Sequence, residues 1–470
     1  MSTNLAIHCE QSKHARAFAC VLSFILALSL CFAPASASAD VRKADIVYGQ
    51  TVDSRGLSVS QCPSIDAERA IVVSSDGTVY FERNADDKAC IASITKVMTA
   101  IVALDAVNDG VVNLNTQITV TAEAAAVGES SAGLQQGDTM TLETALKALL
   151  VPSGNDAAVA IAQTVGQQFL NQGSTANSAT EAFVAKMNET ATKLGCTDTV
   201  YENPHGLDFD EYAGNLHSTA RDQAKVITYA MKNQTLRSIV AGGSTTIQVT
   251  RDNASASIAL ETTDGFLDIN EYAIGVKTGY TDLAGESFAG AVNKDGQELY
   301  AIVLNSSSES QRFTDADELV NWVFDHQKQY KVINSAQTTL MDGKSVPVVA
   351  EVTHSDWTDK TVKATVADPD EAIQIFDLNG NVSESVEYDE ITGNVKAGSK
   401  VGTITFKQHN QVIATLDLIA AENVSAPNAI ESVVIAIDRF FKGFSGGQTV
   451  AQSELYNETP LLVDKSSSTQ

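Results

Sequence analysis

Basic side chains are scarce in this sequence. Lysine and arginine total 31 against 58 aspartates and glutamates in 470 residues, a formal charge of −27. A nucleic-acid binder needs a basic face for its phosphate contacts, so no nucleic-acid partner is expected. Cysteine is also sparse, at six, and no two cysteines have zinc-site spacing. HExxH is absent, and the acidic loop around Asp208, Asp210 and Glu211, flanked by His205 and His217, does not have EF-hand spacing. That loop reads as a solvated acidic cluster, so neither a metal nor a cofactor is expected. Aromatics stand at 6%, glycines number 29 and no repeat of fixed period occurs, which excludes collagen-like and low-complexity classes. With 44% hydrophobic residues the chain is too apolar to be disordered, and its length suits two or three domains.

What is present begins with an address. Lys13 and Arg16 precede an uncharged run from Ala17 to Ala33, followed by Ala35-Ser36-Ala37-Ser38-Ala39. A basic start, an apolar core and an A-x-A site make residues 1–39 a signal peptide, cleaved after Ala37 or Ala39. The exported protein then keeps three cysteines, Cys62, Cys90 and Cys196. An oxidising compartment permits a Cys62–Cys90 disulfide, closing a loop of about 28 residues and contributing ~3 kcal/mol. Three buried thiols are the alternative.

Residues 40–62 form a polar lead. A β-hairpin is expected from Ala70–Val73 and Val79–Phe81 around Ser75-Asp76-Gly77. Ser93 to Val107 is apolar on more than one helical face and predicts a buried helix. Further helices are expected over 142–150, 156–165, 182–194 and 219–231, the last opened by Thr219 and Asp222 as a capping box. Strands are expected at 245–250, 272–276, 287–292 and 299–304, with a closing helix over 311–324. Helices in the middle with strands at both ends suggest one sheet assembled from distant segments, an α/β (α+β) domain over 63–327. Short alternating runs over 328–422 read as a small all-β domain. Residues 423–444 then place Ile430, Val433, Val434, Ile437, Phe441 and Phe444 on one face of an amphipathic helix, leaving 445–470 as a polar, Ser-rich, disordered tail.

Three short motifs carry the chemistry. Ser93-Ile94-Thr95-Lys96 opens the buried helix, Ser153-Gly154-Asn155 sits in a helix–helix turn, and Lys277-Thr278-Gly279 closes a strand. Residues i and i+3 share a helix face, so Lys96 lies within reach of Ser93. A serine hydroxyl needs a base to take its proton. An amine can be that base only when neutral, which requires burial or a second cation, and Lys277 is the candidate cation. The helix N-terminus offers unpaired N–H groups to a developing oxyanion. Ser153 is placed to relay the proton, Asn155 to hold the substrate backbone, and Lys277 with Thr278 to grip an anionic terminus.

The text around these motifs extends the pattern: Ala92-Ser93-Ile94-Thr95-Lys96-Val97-Met98, Ser153-Gly154-Asn155-Asp156-Ala157-Ala158 and Gly275-Val276-Lys277-Thr278-Gly279-Tyr280-Thr281. With Asn203-Pro204-His205-Gly206-Leu207 and His217-Ser218-Thr219-Ala220-Arg221-Asp222, it resembles the serine D-Ala-D-Ala carboxypeptidases, the low-molecular-mass penicillin-binding proteins. The resemblance is close over 63–327 and looser over 330–420, where Gly393-Asn394-Val395-Lys396-Ala397-Gly398 resembles the family's C-terminal β-domain. It implies a β-lactamase/transpeptidase-like catalytic domain acting outside the cytoplasm, at the outer face of the cytoplasmic membrane. The implied substrates are peptidoglycan stem peptides ending in D-Ala-D-Ala, with β-lactams as inhibitors.

Carried over by motif, Ser93 is the acylated nucleophile, Lys96 its base, and Ser153 and Asn155 complete the catalytic set. Lys277, Thr278 and Gly279 bind substrate with Arg312, and Tyr280 gives a main-chain N–H to the oxyanion. Tyr280 departs from the histidine associated with its position, and Cys90 is unusual three residues before the nucleophile. A β-lactamase is the alternative enzyme, yet no Glu-x-x-Leu-Asn element lies between Asn155 and Lys277. A β-lactam-sensing or wall-binding module that is acylated without turnover is the non-enzymatic alternative. The Ile430 to Phe444 helix either lies in a membrane interface or packs on the β-domain. No LPxTG-like sorting signal follows it.

Overall fold

The computed structural model describes residues 46–47 and 62–462. The signal segment 1–39, most of the lead and residues 463–470 lie outside the described residues. The first strands are β1 (Ile46–Val47), β2 (Arg69–Ser74) and β3 (Val79–Arg83). β2 and β3 form the expected hairpin. Asp76 sets its turn by accepting from Ser74 Oγ and Thr78 N, and Gly77 takes φ +91°, which strains any side chain.

A 3-10 turn, Ala92–Ile94, leads into α1 (Thr95–Asn108). Val97, Met98, Ile101, Val102 and Leu104 lie on different sides of α1 and are all buried. A helix apolar all round must be enclosed. After β4 (Gln117–Thr119), α2 (Ala122–Ala126) and β5 (Thr139–Thr141) come α3 (Leu142–Leu150), α4 (Asn155–Asn171), α5 (Ala179–Lys193) and α6 (Ala220–Ala230). These last four helices pack around α1. Thr141, Ser178 and Thr219 cap α3, α5 and α6 by accepting a backbone N–H from the first turn.

α7 (Gln234–Val240) precedes a hairpin of β6 (Thr245–Arg251) and β7 (Ala254–Leu260). The sequence signalled only the first arm. Its partner reads Ala-Ser-Ala-Ser, without the bulky alternation that marks a strand. The turn is made by Asp252 and Asn253, both at positive φ.

α8 (Phe266–Ile269), β8 (Ala273–Gly279), β9 (Glu286–Lys294), β10 (Gln297–Ser306) and α9 (Glu309–His326) complete the domain. The main sheet is antiparallel in the order β1-β3-β2-β10-β9-β8. Opposition of Tyr300 to Val73 joins the two ends of the domain. Alternation then serves two cores: Ile71, Val73, Tyr300 and Ile302 face the helices around α1. Ala70, Val72, Ala301 and Val303 face α9 through Phe313, Leu319 and Trp322. β8 lies at the sheet edge, beside the turn that starts α1.

From Gln327 to Ala420 the chain is built of strands, apart from a 3-10 turn at Asp377–Asn379. Its six-stranded sheet is built on Val352, Val362, Val401, Ile404, Phe406 and Leu418. α10 (Ala429–Ser445) follows, started by an Asn428–Glu431 capping box and ended by Gly446 at φ +72°. The expectation of a disordered tail is corrected for residues 446–462. Glu454–Leu455 pairs with the Ala350–Thr353 strand, and Tyr456 N–H reaches the Val349 carbonyl at 2.8 Å. Asn457 donates to the Val332 carbonyl, and Tyr330 Oη donates to the Pro460 carbonyl. An open edge strand offers a row of unpaired backbone groups, and this polar segment satisfies them although it lacks strand patterning.

The Cys62–Cys90 disulfide is not formed. Cys62 packs against the core under α9, whereas Cys90 Sγ points to the Leu216 carbonyl at 3.6 Å. Burial pushes the Cys90 thiol up to about 11, so it is protonated at neutral pH.

Candidate active site

Ser93 sits in the 3-10 turn before α1, directly after Ala92 at φ +45°. Its Oγ accepts a hydrogen bond from Lys96 Nζ at 2.6 Å. Lys96 is fully buried and also donates to the His205 carbonyl at 2.9 Å. Burial first, and then the Lys277 ammonium, hold the Lys96 amine well below the usual lysine range, against a weaker opposing pull from Asp156.

The His205 carbonyl is aimed by a built loop. Asn203 Oδ1 accepts from the N–H groups of His205 and Gly206, Asn203 Nδ2 donates to the Leu207 carbonyl, and Thr99 Oγ1 donates to the Pro204 carbonyl. Gly206, at φ +97°, lets this loop touch the nucleophile turn: a Cβ there would stand 1.9 Å from the Ala92 carbonyl oxygen. Burial, above all, pushes the His205 imidazole down to about 3, so it is a neutral packing group. Asp208, one residue past Leu207, accepts from Thr281 Oγ1 at 2.8 Å and ties this loop to the end of β8.

Ser153 is held at φ +65° with its Oγ buried and without a hydrogen-bond partner. Asn155 begins α4, donates to the Gly128 carbonyl at 3.0 Å, and has its Oδ1 unpartnered. Buried polar groups are normally satisfied, so two open acceptors in one cleft mark a place for a ligand. Asp156, next in sequence, fixes the opposing loop by accepting from Ser131 Oγ, Ala132 N and Leu134 N.

On the other wall, Lys277 is 1% exposed and donates to the carbonyl and Oγ1 of Thr278 at 3.1 and 3.2 Å. Burial pushes its ammonium down to about 7, with Asp264 opposing and Arg312 assisting that shift. Thr278 Oγ1 meets Thr263 Oγ1 at 2.8 Å. A Cβ on Gly279 would lie 2.6 Å from the Ile91 carbonyl oxygen, so only glycine lets β8 approach the nucleophile turn. Tyr280 is exposed, with its phenol on Asp282. Arg312 reaches the cleft from α9, paired with Glu286 and, at 3.3 Å, with Glu309.

Ser93, Ser153, Asn155, Thr278, Tyr280 and Arg312 line one cleft of about 440 Å³. Lys96 and Lys277 stand behind its wall. The site residues read from the sequence therefore converge, apart from Cys62 and Cys90. The Asn203–Leu207 loop, Asp156, Thr263 and Asp264 were not read as part of the site. The Asn-Pro-His-Gly turn chemistry was a signal for the first, and nothing local marked the others. Among the described residues no cluster of metal-ligating side chains occurs.

A family model described as D-alanyl-D-alanine carboxypeptidase matches residues 57–308, more than half of the chain. The chain belongs to the D-alanyl-D-alanine carboxypeptidase family. It is thus a serine hydrolase of the low-molecular-mass penicillin-binding kind. A second model, described as the Penicillin-binding protein 5 C-terminal domain, matches residues 336–426. The chain is 26% identical over 365 residues to DacF of Bacillus subtilis, a match covering 76% of this chain and 86% of that protein. It is 34% identical over 240 residues to DacB2 of Mycobacterium tuberculosis, covering 50% of this chain and 74% of that one. The crystal structure of the Streptomyces K15 DD-transpeptidase superposes with a TM-score of 0.51 at 32% identity, covering 56% of this chain and 98% of that one. In fold class the chain is therefore a DD-peptidase catalytic domain followed by an all-β domain.

Proposed function

We propose that the Lys96 amine, neutral in its buried site, takes the proton of Ser93 as Ser93 Oγ attacks the penultimate D-Ala carbonyl of a peptidoglycan stem peptide. The contact that carries this reading is the 2.6 Å hydrogen bond between a fully buried amine and the nucleophile. The N–H groups of Ser93 and Tyr280 hold the oxyanion, and the proton passes through Ser153 Oγ to the leaving amine. The terminal D-Ala departs, and water releases the peptide from Ser93. Lys277, Thr278 and Arg312 grip the terminal carboxylate, and Asn155 holds the peptide backbone. A β-lactam carboxylate enters the same clamp, and its ring carbonyl acylates Ser93.

The test is D-Ala release from a diacyl-L-Lys-D-Ala-D-Ala peptide, with and without penicillin. Release blocked by penicillin and abolished with labelling in Ser93→Ala is expected. Release that persists in Ser93→Ala refutes the choice of nucleophile, and acylation without release favours the sensing module.

The protein works outside the cytoplasm, against the outer face of the membrane. Ile430, Val433, Val434, Ile437, Phe440, Phe441 and Phe444 on α10 are each more than half exposed. On the opposite side Ile435 is buried and Arg439 donates to the Ser355 and Trp357 carbonyls. No helix among the described residues is long and apolar enough to cross a membrane; the exposed apolar face of α10 supports its lying in the interface plane. Glu431 and Asp438 balance Arg439 and Lys442, so anionic lipid adds little. Phe440, Phe441 and Phe444 changed together to Ser should abolish co-sedimentation with neutral phosphatidylcholine vesicles, and retained binding would refute the placement.

A further inference from the structure

The loop before β8 carries a carboxylate with no structural task to match its burial. Asp264 is 5% exposed. Its Oδ1 accepts from Phe266 N–H at 3.0 Å, and its Oδ2 has no hydrogen-bond partner. The buried Asp156, Asp222 and Asp315 use both oxygens in hydrogen bonds. Asp264 does not, which is costly unless its charge is answered at longer range.

The surroundings supply that answer. The loop is fastened to the cleft by the Thr263–Thr278 hydroxyl contact and by Thr263 N–H on the Val151 carbonyl. A Cβ on Gly265 would lie 2.9 Å from the Phe313 ring, and the Arg312 guanidinium stacks on that ring at 4.9 Å. Asp264 therefore sits between β8 and α9, behind the groups that grip the substrate carboxylate. Among the described residues Lys277 forms no ion pair, and Asp264 is the acid whose longer-range charge opposes the effect of its burial.

We propose that Asp264 is a positioning residue for the carboxylate clamp, a built-in counter-ion that keeps Lys277 charged and in place while the site is empty. The inference rests on the clamp reading given above. When an anionic peptide binds, its carboxylate takes over the role. The charged groups facing this pair are Asp268 from α8 and Arg312 from α9, the latter backed by Glu286 and Glu309. Beyond Lys277 lies Lys96, itself influenced by Asp156. Burial pushes the Asp264 carboxyl up to about 7 and the Lys277 ammonium down to about 7, so neither charge is secure without the other.

Asp264→Asn keeps the acceptor for Phe266 N–H and removes only the charge. In acid both proteins have an uncharged group at 264, so their kcat/KM values should coincide within about twofold at pH 5.5. In base the wild type keeps Lys277 protonated longer, so the variant's alkaline limb should move acidward by about one pH unit, roughly tenfold at pH 8.5. The loss should appear in KM more than in kcat, because bound substrate supplies the missing charge. Superimposable profiles, or an equal loss at every pH, overturn the proposal.

A parallel measurement follows Lys277 by carbon NMR, assigned with Lys277→Arg, and its titration should move to lower pH in Asp264→Asn. An unmoved titration also overturns the proposal. Absence of D-Ala release from the wild type would count instead against the functional reading, and the NMR titration would still decide the role of Asp264.

Discussion

Lys96 is a stability liability that the reaction requires, and replacing it with methionine separates the two roles. In the unfolded chain its amine has the ordinary value of 10.5 and is protonated at neutral pH; in the fold it is buried and held well below that. Giving up that proton at pH 7 costs ~5 kcal/mol, from about 1.4 kcal/mol per pH unit below the unfolded value. Against this stand the hydrogen bonds to Ser93 Oγ and the His205 carbonyl, worth ~1 kcal/mol each, and the ~1–3 kcal/mol lost by leaving that carbonyl unpaired.

Lys96→Met, similar in length and apolar, should therefore be at least as stable as the wild type at pH 7, by up to ~2 kcal/mol. That raises the melting temperature by up to roughly 8 °C. Acylation by a fluorescent penicillin should fall by a factor on the order of 10²–10⁴, the usual worth of a general base. The pH dependence is the sharper assay. A lysine lowered on folding makes the unfolded chain bind the extra proton between its two values, so wild-type stability gains with pH up to about 10.5. The advantage of Lys96→Met should shrink as melts are run from pH 7 toward 10. A variant that is less stable at pH 7, by an amount independent of pH, would falsify the neutral amine.

Three further outcomes follow from the geometry. Gly279→Ala sets a Cβ 2.6 Å from the Ile91 carbonyl, and edge strand β8 can relieve it only by moving off the nucleophile turn. Penicillin labelling should drop at least tenfold for a stability loss of ~1–3 kcal/mol, and normal labelling contradicts the close approach. Lys277→Ala and Arg312→Ala should weaken peptides ending in a free carboxylate more than amidated ones, measured as kcat/KM for the first and inhibition by the second. Equal losses argue against the clamp. Truncation after Gly446 removes the strand paired with Ala350–Thr353 and the Asn457 contacts, and should lower the melting temperature of the β-domain while leaving D-Ala release intact.

The legible parts of this protein are those where local pattern and tertiary role agree. The all-round apolar text of α1 announced burial, and the Ser75-Asp76-Gly77 turn announced a hairpin. Ser93 to Lys96 announced a shared helix face because spacing alone determines it. Illegible were features made by distant partners. Ala254–Leu260 is a strand because Thr245–Arg251 lies beside it, and residues 454–457 are ordered because a sheet edge was open. The Cys62–Cys90 alternative turned on which side of the sheet each thiol faces, and nothing in a count of cysteines carries that. Asp264 belongs to the same class: its sequence reads as a loop turn, and its significance comes from what β8 and α9 place around it.

The two buried lysines show how one side chain takes two electrostatic roles in one cleft. Each is desolvated, and desolvation alone drives both toward neutrality. What separates them is the sign of the strongest neighbouring charge. Beside Lys96 that neighbour is Lys277, a cation, which presses the same way as burial. Beside Lys277 it is Asp264, an anion, which resists burial. The arrangement is directional, because a charged Lys277 helps keep Lys96 neutral and Asp264 helps keep Lys277 charged. Removing the acid should thus be felt two positions along the relay. Above neutrality, as Lys277 loses charge, the Lys96 amine regains some affinity for a proton, while at pH 5.5, where the side chain at 264 is uncharged in both proteins, the acid limb of penicillin acylation should coincide. An acid limb that moves in Asp264→Asn would mean that Asp264 is already charged well below neutrality and answers Lys277 there.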